Sequence, residues 1–206
     1  ATHARIVVGN PLSVVLAEAD GLDADLVVVG ARGESFPLHL QTGATASRLL
    51  RKSSRHPVLL VKQQPHDDYR VILVAVDFSP ASLIAIRMAR RVAPGAKIML
   101  LNAFELPYEG KLAIAGIADE VVHGYVVSEG ERRRARPHKL AAAAGLAMRD
   151  YSVCILHGDP ALEIVAMEQE CDADLVVVGK HGASVTEELL LGSVTKHVLA
   201  ESQGDV

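Results

Sequence analysis

Apolar residues fall along this chain in short runs rich in Val, Ile and Leu, separated by stretches with helical spacing. The runs at 4–8 (ARIVV), 25–29, 57–62 (PVLLVK), 71–76 (VILVAV), 97–103 (KIMLLNA), 151–157 (YSVCILH) and 175–178 read as strands. Those at 71–76 and 175–178 are apolar at every position, as in a parallel strand covered on both faces. Helices are expected over 11–20, 44–52, 81–92, after the GDP at 158–160, and from 194 onward. Pro11 and Pro80 suit first turns, where their missing N–H would have no partner anyway, and Ser79 is placed to cap the second of these helices. Residues 104–127 carry Gly110, Gly116 and Gly124 and read as a loop with a short helix. The stretch 128–148 is alanine-rich and helical, with Pro137 kinking or starting it. Strands alternating with helical crossovers predict an α/β fold: an open parallel sheet sandwiched by helices, with right-handed connections.

The pattern repeats. Shifted by 149 positions without a gap, the GNP at 9–11 lies on the GDP at 158–160, and DADLVVVG at 23–30 lies on the same eight residues at 172–179. Gly33 falls on Gly182 and Gly43 on Gly192, but Ala44 stands where the second copy has Ser193. The repeat predicts tandem domains: 1–63 as the C-terminal half of one, 64–68 as a polar linker, and 69–206 as a nearly complete second. The chain opens on what reads as the second half of a repeat unit and stops at Val206, where a last strand would begin, so it is expected to be a fragment.

The second copy's glycines give the spacing G-x2-G-x9-G-S: Gly179, Gly182, Gly192 and Ser193. Glycines let a backbone turn sharply and bring its N–H groups close to an anion, and the helix that follows opens with unpaired N–H groups. The stretch therefore reads as a phosphate cradle, although a Gly-x-x-Gly after a strand is often only a turn. Asp77 ends the first strand of its domain on the same sheet edge, where open α/β sheets collect ligands. Its carboxylate can accept from ribose hydroxyls, or it can simply cap the following turn. Ala75 and Ala103, small residues near two strand ends, leave room for a flat base. Lys180 and His181 lie between the cradle glycines and point either to phosphate or to solvent.

Composition narrows the classes. Half of the 206 residues are hydrophobic, enough for a sizeable core, yet no run approaches the roughly 20 apolar residues of a membrane span. With no signal-peptide pattern at 1–8, the expected compartment is the cytoplasm. A net charge of −4 and 3% aromatic content argue against a nucleic-acid partner. Arg132, Arg133, Arg134, Arg136 and Lys139 form a basic cluster that reads as a solvated helix face. Cys154 and Cys171 read as buried thiols, and the nine histidines show no metal-ligand spacing. The P-loop, the dinucleotide fingerprint and the G-x-S-x-G nucleophile elbow are all absent.

Taken together, VAVDFS at 74–79, HGDP at 157–160, DADLVVVGKHG at 172–182 and LLLGSVTKHVL at 189–199 resemble the universal stress protein family, in particular its tandem members. The resemblance implies a Rossmann-like sheet of the adenine nucleotide alpha hydrolase type. The family's nucleotide-binding branch carries G-x2-G-x9-G-[ST], so it also implies a bound ATP, ADP or AMP, alone or with magnesium. By that resemblance Asp77 is the ribose contact, Ala103 lies near adenine through its backbone, and Val194 and Thr195 help close the phosphate loop. The family often has proline where this chain has Ala75, and Ala44 departs from the motif in the first copy. Family members dimerise through their last strand, so the two copies are expected to pair with each other, with a homodimer and an unidentified protein partner as further expectations. The function implied is a stress-response switch. The alternatives are a slow ATPase or phosphotransferase and a structural dimerisation module with a vestigial site.

Overall fold

The computed structural model describes residues 2–31, 43–53, 55–64, 68–107, 109, 118–180 and 191–206. The first copy supplies α1 (Pro11–Gly21), β1 (Val27–Gly30), α2 (Ala44–Lys52) and β2 (Val58–Val61). The second supplies β3 (Val71–Ala75), α3 (Pro80–Val92), β4 (Lys97–Phe104), α4 (Asp119–Ala143), β5 (Tyr151–His157), α5 (Pro160–Glu170), β6 (Leu175–Val177) and α6 (Ser193–Glu201). β1 pairs with β2, and β5-β4-β3-β6 form a four-stranded sheet, every pair parallel. Ile72, Leu73 and Val74 of the central β3 are fully buried, as a run apolar at every position requires. α3 and α4 cover one face, with Ile86, Ala89 and Ala141 against Ile72, Val74 and Leu100. α5 and α6 cover the other, with Ile164, Met167 and Val198 against Leu73 and Val176.

That second core does not stop at the four-stranded sheet. Ala31, Ala46 and Leu60 of the first copy belong to it, beside Val198, Leu199 and Val206. Residues 205–206 bridge the two sheets. Asp205 pairs in parallel with Leu175, and its carbonyl accepts from Val176 N–H at 2.8 Å. Val206 exchanges both backbone hydrogen bonds with Leu60, at 2.7 and 3.1 Å, which is the antiparallel pattern. Residues 205–206 thus dock on the first copy, at the place where a last strand was expected to begin.

Buried carboxylates fasten this junction. Asp205, 4% exposed, accepts from the backbone N–H groups of Lys62 (2.7 Å) and Gln63 (3.1 Å) and from the Tyr69 hydroxyl (2.5 Å). Burial and that carboxylate push the Tyr69 phenol well above its ordinary range. Lys62 Nζ donates to the Ser202 carbonyl at 2.6 Å, and Asp174 receives the N–H groups of Arg70 and Val71 at 2.7 and 2.9 Å. Glu168 Oε1 accepts from Ser202 Oγ, Gln203 N–H and Gly204 N–H, holding the turn after α6.

Two expectations change. Residues 4–8 form no strand: Ile6 and Val8 are almost fully exposed, and no described strand lies alongside to complete a ladder. The segment from 119 to 143 is a single 25-residue helix, with Gly124, Gly130 and Pro137 inside it. Asp119 and Glu120 in its first turn complement the helix dipole, and Pro137 is buried against the core, which offsets the roughly 3 kcal/mol an internal proline costs. Elsewhere the repeat is reproduced in detail. Asn10 and Asp159 each accept from the N–H groups two and three residues on, and Asp23 and Asp172 both take positive φ, at 48° and 51°.

Two outcomes follow. Asp205→Ala leaves three donors without their acceptor and is expected to lower stability by on the order of 3 kcal/mol in urea denaturation; a loss below about 0.5 kcal/mol contradicts the junction's role. His56, with 7% of its side chain exposed, sets Nδ1 2.7 Å from the Ala24 carbonyl and Nε2 2.9 Å from Asp20 Oδ1. Two acceptors call for a doubly protonated ring. The Asp20 hydrogen bond, then the Ala24 carbonyl, raise its pKa, against desolvation and, more weakly, the charge of Arg55. A raised folded pKa stabilises fully below the unfolded value of about 6.5, and the gain is lost as pH climbs through the folded value. Thermal midpoints are therefore expected to fall from pH 6 to pH 8, and His56→Gln is expected to flatten that slope.

Candidate functional site

The register Val74↔Val177 brings the ends of β3 and β6 side by side, so Asp77 and Lys180 leave the sheet together at its carboxyl edge. Asp77 is exposed, and its Oδ1 accepts from Ser79 N–H (3.0 Å), Ser79 Oγ (2.6 Å) and Ser82 Oγ (2.8 Å). Phe78 sits at φ 66°, in the left-handed region, which turns the chain sharply into α3. Ser79 occupies the cap position of α3 but makes no side-chain capping bond; its hydroxyl is turned to Asp77 instead. The carboxylate thus orders the turn and stays solvent-exposed at the carboxyl edge of the sheet.

Ala75 pairs with Leu101, and Ala103 with Leu156, both partly buried near strand ends. Asn102 lies between them in sequence effect: 2% exposed, it donates through Nδ2 to the Val76 carbonyl at 2.7 Å and ties β4 to the chain leaving β3. Its signal in the sequence is a lone amide inside the apolar run of β4. The basic cluster is also not wholly solvated. Arg133 stacks 4.7 Å over Phe104 and donates to Asn102 Oδ1 (3.4 Å) and Glu129 (2.9 Å), and Arg136 lies 3.9 Å over the Phe78 ring. Two of its arginines therefore reach the ends of β3 and β4. His157 completes this edge, 2.9 Å from Glu109 and 5.5 Å from the Phe104 ring.

On the β6 side, Gly192 N–H donates to the Lys180 carbonyl at 3.0 Å, tying the chain that leaves β6 to the residue before α6. Thr195 Oγ1, on a residue 7% exposed, straps the Gly179 carbonyl at 2.7 Å. Ser193 is exposed and Val194 half-buried at the start of α6, where no side chain caps the first N–H groups. Gly182 and His181 lie outside the described residues. Lys180 Nζ donates to the Arg51 and Ser53 carbonyls of the first copy.

The first copy makes the equivalent bond, Gly43 N–H to the Ala31 carbonyl at 2.7 Å. It keeps neither hydroxyl, since Ala44 and Ala46 stand at the positions of Ser193 and Thr195. Between the copies, next to the cradle, runs an open cavity of about 350 Å³ lined by Gly179, Lys180, Thr195, Ile84, Met88 and His56. Cys154 and Cys171 are free and only partly buried, and burial pushes both thiols up. No helix among the described residues is long and apolar enough to cross a membrane, and these residues hold no group of three His, Cys, Asp or Glu side chains suited to a metal.

The comparisons agree with this architecture. The universal stress protein family model matches residues 1–62 and 68–206. Universal stress protein MJ0577 of Methanocaldococcus jannaschii is 26% identical over 153 residues, covering 67% of this chain and 93% of the relative. Among solved structures, the functionally unknown protein PA1789 from Pseudomonas aeruginosa PAO1 superposes with a TM-score of 0.67 at 19% identity, over 97% of this chain and 67% of that one. A universal stress protein from Archaeoglobus fulgidus gives 0.62 at 21% identity, over 96% of this chain and 66% of that one. The two structures share the fold, and the chain spans about two-thirds of their length. With a parallel α/β sheet, a repeated glycine spacing and a family match over both copies, the chain belongs to the universal stress protein family.

Proposed function

We propose that the second copy binds an adenine nucleotide, ATP or its ADP and AMP products, and that occupancy switches the protein's interactions with an unidentified protein partner in the cytoplasm. The observation that carries this reading is the Gly192 N–H to Lys180 carbonyl bond, which holds the end of β6 beside the start of α6, where the cap residue is a glycine with no side chain to offer. Phosphate would sit against the α6 N–H groups with the Ser193 hydroxyl, on a loop held by Gly179, Gly182, Gly192, Val194 and Thr195. Asp77, already oriented by Ser79 and Ser82, would take the ribose, and the base would lie along Ala75 and the Ala103 backbone. Any magnesium would come with the phosphates, since the described residues offer no carboxylate cluster for it.

The division into 1–63, 64–68 and 69–206 is part of the same proposal. In it the first copy serves mainly as structural partner, pairing with the second through Leu60 and Val206 in the way family members dimerise. Two free cysteines suit a reducing compartment.

The test is to incubate the purified chain with ATP and follow binding and phosphate release together. Binding with negligible release is expected; sustained turnover would make the protein an enzyme, and no binding by any adenine nucleotide would leave a structural module. Ser193→Ala removes one hydroxyl donor to a charged group and is expected to weaken ATP about 10-fold. Gly182→Val should block phosphate approach, and a folded variant with full affinity would refute the cradle.

A further inference from the structure

Lys180 belongs to the cradle by its backbone and to the first copy by its side chain. Its carbonyl accepts from the Gly192 N–H at 3.0 Å. Its Nζ crosses to the end of α2 and donates to the carbonyls of Arg51 at 2.7 Å and Ser53 at 3.2 Å. A helix leaves its last carbonyls without intrahelical partners and carries partial negative charge there, so an ammonium is doubly favoured at that position. The anchor is itself fixed. Ser53 is 6% exposed, its N–H donates to the Leu49 carbonyl at 2.8 Å, and its Oγ donates to the His56 carbonyl at 2.7 Å. The arrangement is not symmetric: at the matching place in the first copy stands Ala31, 1% exposed and packed in the shared core, with no side chain to reach back.

We infer that Lys180 is a positioning residue through which the first copy sets the nucleotide affinity of the second. The contacts run without a gap from the end of α2, through the lysine side chain and its carbonyl, to Gly192 and the first turn of α6. With α2 docked, the lysine is held and the base of the loop is fixed before ligand arrives. Linkage makes the effect reciprocal: a nucleotide that favours the fixed loop also favours docked α2. The competing role for a lysine beside phosphate is that of a point charge contacting the ligand directly. The two hydrogen bonds from Nζ to the first copy's carbonyls favour the strut. The inference rests on the nucleotide-binding reading above, and its test separates the two.

ATP affinity is measured by calorimetry, and amide exchange by mass spectrometry, on the intact chain and on Lys180→Met and Lys180→Arg. Lys180→Met is expected to weaken ATP about 5- to 20-fold, with Lys180→Arg recovering most of the loss. In the intact chain ATP is expected to slow exchange at the Ser53 amide and its neighbours at the end of α2, and in Lys180→Met that protection is expected to vanish. Retained exchange protection across β3 shows in the same data that the variant is folded, and Lys180→Gln serves if the methionine variant is not. Unchanged ATP affinity overturns the inference. So does a weakened affinity with no ATP-dependent protection of α2 in the intact chain, which would make Lys180 a direct phosphate contact. Failure of the intact chain to bind any adenine nucleotide overturns both this inference and the function proposed above.

Discussion

The pairing of Val206 with Leu60 is the contact on which the rest of the molecule depends. Without it the first copy is a two-stranded sheet with two helices around a small core of Ala19, Val27 and Leu49, marginal on its own. With it, Ala31, Ala46 and Leu60 join the core beneath α5 and α6, and the sheets run on through residues 205–206. Asp205 then acts at one point on several segments, since its carboxylate collects the chain leaving β2 and the tyrosine that precedes β3. A buried carboxylate is costly unless its hydrogen bonds are satisfied, and here three donors satisfy it. The same docking brings α2 within reach of Lys180 and lays the inter-copy cavity beside the cradle.

The duplication preserved geometry more faithfully than chemistry. Both copies make the same backbone bond ahead of α2 and α6, and both start α1 and α5 with an Asx side chain over the first N–H groups. Backbone hydrogen bonds and caps are what the fold requires, so they survive in both. In the first copy alanines stand in place of Ser193 and of Thr195, whose hydroxyl straps the Gly179 carbonyl, and Ala46 packs into the shared core instead. One copy thus retains groups suited to a ligand, and the other uses the same positions for packing.

Elements whose signal is local were legible in the residues. The helix Ala44–Lys52 and the strand Tyr151–His157 fall where spacing placed them, because capping, periodicity and apolar runs act over a few residues. The failures share a different cause. Residues 4–8 have a strand's composition but no described neighbour to complete a ladder, and α4 runs through glycines and a proline because tertiary burial of Pro137 outweighs local propensity. At the candidate site, Asp77 and the glycines could be found from spacing. Arg133 and Arg136 could not, because their partners Phe104 and Phe78 are 29 and 58 positions away, brought near by the passage of α4 over the sheet, and the lone amide of Asn102 finds Val76 only through the β3–β4 pairing. The direction of Lys180 was open for the same reason, its acceptors lying well over a hundred residues away in the other copy.

The central claim is one nucleotide site per chain, in the second copy. Equilibrium titration of the intact protein with ATP, at protein concentrations above the dissociation constant, reads the number of sites directly. The account predicts one ATP per chain, abolished by Gly192→Val and retained when Gly43 is changed in the same way. Two ATP per chain, or binding that survives Gly192→Val and is lost with Gly43→Val, would contradict it.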